Sequence, residues 1–175
     1  MDLWRRIETL FSEKVRGRPA SSGIKVIKTL LSHGLRVDRE GRVYCGKVKV
    51  SYTALAEACG LDRRTVRRAI KTLLSDPELS KFFEMIEPAG PFLRKVTRML
   101  GYRCLVIETY EDKPGIIATV SGALAKRGIN IVQIVAEDPN LYENPKLYVI
   151  TASEIPGETL TDILSDPVIK SLTIY

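Results

Sequence analysis

Asp112-Lys113-Pro114-Gly115-Ile116-Ile117 sets a carboxylate just ahead of a glycine that begins an apolar run. Gly115 suits the opening of a helix, where the first N–H groups have no partner inside the helix. At Gly115, Ile116 and Ile117 such groups can receive a carboxylate, helped by the helix dipole. Asp112 beside them complements an ammonium group. An α-amino acid presents both charges about that far apart, so the chemistry these residues can do is recognition.

A second set of groups lies between Arg63 and Lys71. At about 100° per residue, Arg63, Arg64, Arg67, Arg68 and Lys71 fall on one side of a helix. Val66, Ala69, Ile70 and Leu73 fall on the other. No acid follows Asp62 until Asp76, whereas a solvated face ordinarily mixes both signs. The expected partner is DNA. Arg63, Arg64 and Thr65, at the start of the helix, are expected at base edges or nearby phosphates. Arg67, Arg68 and Lys71 are expected to hold phosphates.

The elements that must position these groups follow from the pattern around them. Leu55, Ala56 and Cys59 mark a short helix, Gly60 turns the chain, and Asp62 caps the next helix. This spacing resembles the helix-turn-helix signature at Leu55, Ala56, Cys59, Gly60, Leu61, Val66 and Ala69. Upstream, Leu3, Ile7, Leu10 and Phe11 predict a helix over 2–15, ended by Arg16-Gly17-Arg18-Pro19. Ser21 or Ser22 can cap a second helix through Ile24, Ile27, Leu30 and Leu31, closed by His33 and Gly34. The stretches Leu35/Val37, Val43/Cys45 and Val48/Val50 alternate between turns and predict a small β-hairpin. Its Arg39, Arg42, Lys47 and Lys49 are further candidates for DNA contact. In common winged-helix proteins such a hairpin follows the recognition helix; here it precedes it. A further helix runs through Phe82, Phe83 and Met85.

Near Gly101 the charge changes sign. Residues 1–100 hold 21 Lys and Arg against 11 Asp and Glu, whereas residues 101–175 hold 6 against 10. A basic half joined to an acidic half predicts two domains with different partners. Glu87-Pro88-Ala89-Gly90-Pro91 reads as a semi-rigid linker. Phe92, Val96, Met99 and Leu100 then predict a short connecting helix, which Gly101 stops. The expected boundaries are a helix-turn-helix domain at 1–87, linker and connecting helix at 88–101, and a second domain at 102–175.

In the acidic half, strands are expected at 103–109, 130–136, 147–152 and 168–174. Helices are expected after Gly115 and over 159–164. The order β-α-β-β-α-β is the ferredoxin-like plan, so the whole chain is expected to be α+β.

Residues 103–175 resemble the ACT domain, the small-molecule-sensing module of amino-acid metabolism. The resemblance rests on Tyr110-Glu111-Asp112-Lys113-Pro114-Gly115 and on Gly128-Ile129-Asn130-Ile131. It implies that Asp112 contacts a ligand ammonium, that Gly115 lets the ligand approach the backbone, and that Asn130 reaches the ligand from a neighbouring subunit. The pairing of a helix-turn-helix with an ACT domain resembles an archaeal family of predicted regulators of amino-acid metabolism. That likeness includes residues 86–93 and 135–139.

Other chemistry finds little support. Cys45, Cys59 and Cys104 are widely spaced, with no CxxC pair, and read as small apolar residues. His33, the only histidine, sits at a helix end. No nucleophile–base pair or metal cluster is visible, so neither an enzyme nor a cofactor is expected. No apolar run approaches the ~20 residues that span a bilayer, and the chain is expected to be cytoplasmic. The expected function is a DNA-binding transcriptional regulator. It would act as a homodimer or higher even oligomer with an amino acid at the ACT interface. The alternative is a regulatory subunit that controls a biosynthetic enzyme.

Overall fold

The computed structural model describes residues 3–12 and 21–175. The chain divides into two compact units, Met1–Gly90 and Pro91–Tyr175.

The first unit begins with helices α1 (Leu3–Ser12) and α2 (Ser21–Ser32). The expected stop over 16–19 lies outside the described residues, and Ser22 sits inside α2 rather than ahead of it. Three short strands follow: β1 (Leu35–Val37), β2 (Val43–Cys45) and β3 (Val48–Val50). They form an antiparallel sheet in chain order, so the expected hairpin gains a third strand. Helices α3 (Tyr52–Cys59), α4 (Arg63–Leu74) and α5 (Pro77–Met85) complete the unit. Apolar residues at helical spacing meet in one core: Ile7 and Phe11 from α1, Ile27 and Leu30 from α2, Leu55 from α3, and Val66, Ile70 and Leu73 from α4. At the helix end, His33 Nδ1 lies 3.0 Å from Thr29 O and 2.9 Å from Ser32 Oγ.

The second unit opens on two 3₁₀ turns, Leu93–Lys95 and Thr97–Leu100, where a connecting helix was expected. Besides its own short-range backbone bonds, the strap they form is held by a side chain. Gln133 accepts from Leu93 N at 3.1 Å and donates to Pro91 O at 2.8 Å. Gly101 does stop the segment, in the left-handed conformation at φ 72°. Then come β4 (Arg103–Thr109), α6 (Ile116–Ala125), β5 (Ile131–Ala136), β6 (Leu147–Thr151), α7 (Gly157–Leu164) and β7 (Ile169–Ile174). The sheet is antiparallel in the order β5-β6-β4-β7, the ferredoxin-like arrangement.

Alternation sends strand side chains to two faces. Leu105, Ile107, Leu147 and Val149 pack with Val120 and Leu124 of α6 and Ile163 of α7. Cys104, Val106, Tyr148 and Ile150 face the other way and pack with Leu93, Tyr102 and Val135. The strap therefore covers part of a face that two helices leave bare. This explains why every residue of β6 is buried. The Phe92 ring meets Tyr148 edge-on at 4.9 Å, and the Arg94 guanidinium lies 5.1 Å from the same ring.

Candidate functional site

Gly115 caps α6 at φ 106°, a conformation that favours glycine, and no side chain bonds to the first turn. The first intrahelical donor in that turn is Thr119 N, bonded to Gly115 O at 2.8 Å. The N–H groups ahead of it therefore face outward without a side-chain cap. They open on a cleft of about 240 Å³. Asp112, Gly115, Ile116 and Ile117 all line this cleft, so the structure brings four of the five expected effector residues together. Asp112 is exposed.

Asn130 lies elsewhere. Through the strand register, Ile131 pairs with Thr151 and Thr151 with Arg103, whereas Ala136 pairs with Leu147 and Leu147 with Ile107. Asn130 thus sits at the end of the sheet where β4 begins, and Asp112 follows the end where β4 stops. The six residues of β5, at ~3.3 Å each, separate these ends by roughly 20 Å. Within one chain Asn130 is not part of the cleft.

Residues far apart in sequence complete the pocket. Ile107 and Leu147 form its buried floor, and Ala136, Pro139 and Pro145 stand beside them. Lys146 and Glu137 also line it, but both are engaged. Lys146 Nζ donates to Glu108 Oε1 at 2.6 Å. Glu137 Oε2 accepts from Lys146 N at 3.0 Å. The bond between Glu108 and Lys146 lowers the carboxyl pKa and raises that of the ammonium, so the pair stays charged. Sequence reasoning missed this floor. Its one available signal was the alternation of β4 and β6, which names a face but not a cavity.

The second candidate site is the outer face of α4. Gly60 ends α3 in the left-handed region, at φ 60° and ψ 42°, and Leu61 N returns to Ala56 O at 2.9 Å. Asp62 then caps α4. Val66, Ala69, Ile70 and Leu73 are buried, whereas Arg63, Arg64, Arg67, Arg68 and Lys71 are exposed. None of these five cations forms an ion pair among the described residues.

Thr65 differs from the five cations of this face. It is only 9% exposed. Its N–H and its hydroxyl both donate to the Asp62 carboxylate, at 2.9 and 2.6 Å. The third residue of a helix meets the N-cap side chain, and here that geometry turns Thr65 inward. The sheet cations also divide. Arg42 pairs with Asp38 at 2.7 Å and Glu40 at 2.6 Å, and Arg39 pairs with Glu84 at 3.2 Å. Lys47 and Lys49 are exposed.

No helix among the described residues is long and apolar enough to cross a membrane. No curated protein matches the chain. Among solved structures, a prephenate dehydratase from Staphylococcus aureus aligns at 18% identity and TM-score 0.33, over 43% of this chain and 28% of that one. The regulatory subunit of aspartate kinase from Thermus thermophilus aligns at 23% identity and TM-score 0.36, over 43% of this chain and 51% of that one. The chain therefore spans about half the length of the second of these proteins and less of the first. A transcriptional regulatory protein of the AsnC family from Pyrococcus furiosus aligns at 13% identity and TM-score 0.28, over 100% of this chain and 87% of that one. The family model of the ACT domain matches residues 105–164, from β4 to the end of α7, so the ferredoxin-like unit carries an ACT domain.

Proposed function

We propose that this protein is a DNA-binding transcriptional regulator of amino-acid metabolism, with a small amino acid as effector bound by its ACT domain. The observation that carries the DNA-binding half is the face of α4. Five exposed cations, none of them in an ion pair among the described residues, stand on one side of a helix whose other side is core. Such a face supplies phosphate contacts and a recognition helix in the helix-turn-helix manner.

The effector half rests on the cleft. The uncapped start of α6 suits the ligand carboxylate, and Asp112 suits its ammonium. Asp112 and Asn130 lie at opposite ends of one sheet. Both reach one ligand only when a second copy brings its own Asn130 to the cleft, which makes the effector-bound form a dimer. Two recognition helices in a dimer can read half-sites ~34 Å apart. The effector changes DNA affinity to the extent that it binds one dimer arrangement better than another. A coupling of ~1–3 kcal/mol corresponds to ~5–150-fold.

The test is a mobility-shift titration of the full chain on duplex DNA, with and without each of the twenty amino acids. Retardation that weakens steeply with salt and responds to one amino acid is expected. A chain that retards no DNA but co-purifies stoichiometrically with a biosynthetic enzyme is a regulatory subunit instead.

A further inference from the structure

We infer that the effector is an α-amino acid with an apolar side chain. This rests on the amino-acid-sensing reading of the same cleft and narrows its ligand class. Of the charged side chains lining the cleft, Lys146 is held by Glu108 at 2.6 Å, and Glu137 accepts from Lys146 N at 3.0 Å. Lys113 lies 3.3 Å from Glu111. That leaves Asp112 for the ligand ammonium and the first turn of α6 for its carboxylate. With both backbone charges of a zwitterion so matched, the other charged side chains already hold protein partners, and an ionised ligand side chain would have to compete with those.

Apart from the Thr109 hydroxyl, the rest of the cleft is apolar. The floor, Ile107 and Leu147, is 0% and 7% exposed. Ala136, Pro139 and Pro145 stand beside it and bring no side-chain donor. A hydroxyl, amide or charge placed against these groups loses its water without gaining a partner. The volume agrees. About 240 Å³ is below the ~300–1,000 Å³ of pockets for drug-sized ligands, and it suits a single amino acid. Leu, Ile, Val, Met and Phe fit both conditions. Ser, Asp and Lys fail the first.

Isothermal titration of the full chain with each of the twenty amino acids tests this, with Leu, Ile, Val, Met and Phe set against Thr, Ser, Asp and Lys. At least one of the first five is expected to bind, and Val is expected to bind better than its isostere Thr by up to about 10²-fold. Ala136→Met, at an exposed wall position, narrows the cleft and is expected to weaken Phe or Met by at least tenfold, with less effect on Val. Binding of Ser, Asp or Lys in preference to all five apolar amino acids, abolished by Asp112→Ala, overturns the apolar assignment but leaves an amino-acid sensor. Binding of none of the twenty amino acids overturns the sensor reading itself and this inference with it.

Discussion

Gln133 on β5 holds Pro91 and Leu93 at once, donating to Pro91 O at 2.8 Å and accepting from Leu93 N at 3.1 Å. One side-chain amide thus completes both backbone groups at the start of the strap, as a neighbouring strand would. Each such bond contributes about 0.5–1.5 kcal/mol net. Gln133→Ala is expected to cost about 1–3 kcal/mol in all. For a unit of this size each kcal/mol lowers the melting temperature by about 4–8 °C. Thermal unfolding checks this, and an unchanged melting temperature would show that Phe92 and Leu93 hold the strap without the amide.

Two glycines separate conformational strain from steric collision. Gly60 has φ +60°, and a Cβ there would meet only Lys25 Nζ, at 3.6 Å. Gly34 has φ +58°, but its Cβ would lie 2.6 Å from Pro88 Cα and 2.7 Å from Glu87 O. Gly60→Ala is expected to cost about 1–2 kcal/mol from the left-handed backbone alone. Gly34→Ala carries that strain and must also push back main chain that cannot rotate away. Denaturant midpoints should rank Gly34→Ala clearly below Gly60→Ala; equal midpoints would mean that residues 87–88 yield freely.

Most of the ferredoxin-like unit was legible because its signals are local. The sequence predicts a strand over 103–109 and the structure has β4 at Arg103–Thr109, since alternating β-branched residues between turns need no distant partner to be recognised. The strap was not legible. Phe92, Val96, Met99 and Leu100 have helical spacing, and what overrides it is an amide 40 residues onward in the chain. The burial of Thr65 is hidden from the sequence for a related reason. Helical angles sort residues by face, whereas its hydroxyl is bound by the cap, a matter of position within the first turn. At the cleft, the loop of Asp112 and Gly115 was visible as a motif. Its floor, Ile107 and Leu147, comes together only when β4 and β6 pair.

The first unit is expected to lose stability in acid through two carboxylates. Burial alone would raise the Asp76 pKa, but the hydrogen bond from Arg6 at 2.7 Å and the N–H groups of Leu79 and Glu78 outweigh it and lower the value. Asp38 behaves alike: burial raises its pKa, and Arg42 N at 2.8 Å, Arg42 Nε at 2.7 Å and Glu40 N at 3.1 Å lower it further. A carboxyl depressed in the folded state contributes stability above its unfolded value of about 3.9 and loses it as pH falls through the folded value. Unfolding free energy should therefore drop below about pH 4. Asp38→Asn and Asp76→Asn should each be less stable at pH 7 and show a shallower acid slope. An unchanged slope in both variants would place the acid sensitivity elsewhere.

The face of α4 predicts a separation between affinity and stability. Arg67 and Arg68 are exposed and form no ion pair among the described residues, and Thr65 is buried on Asp62. On the proposed DNA-binding function, Arg67→Ala combined with Arg68→Ala would remove two phosphate contacts and leave the core untouched. DNA binding should weaken on all sequences alike, and the slope of log affinity against log salt should become shallower by about 0.9 per lost contact, or nearly 2. The melting temperature of this variant should stay within error. Thr65→Val does the reverse. It deletes the hydroxyl bond at 2.6 Å but keeps the N–H that Asp62 caps, so it should cost about 1 kcal/mol of stability. Well below the melting temperature its DNA affinity and salt slope should match the parent chain. A Thr65→Val variant of normal stability and tenfold weaker binding would return Thr65 to the DNA-facing set, and Asp62 would then be a partner that it leaves on binding.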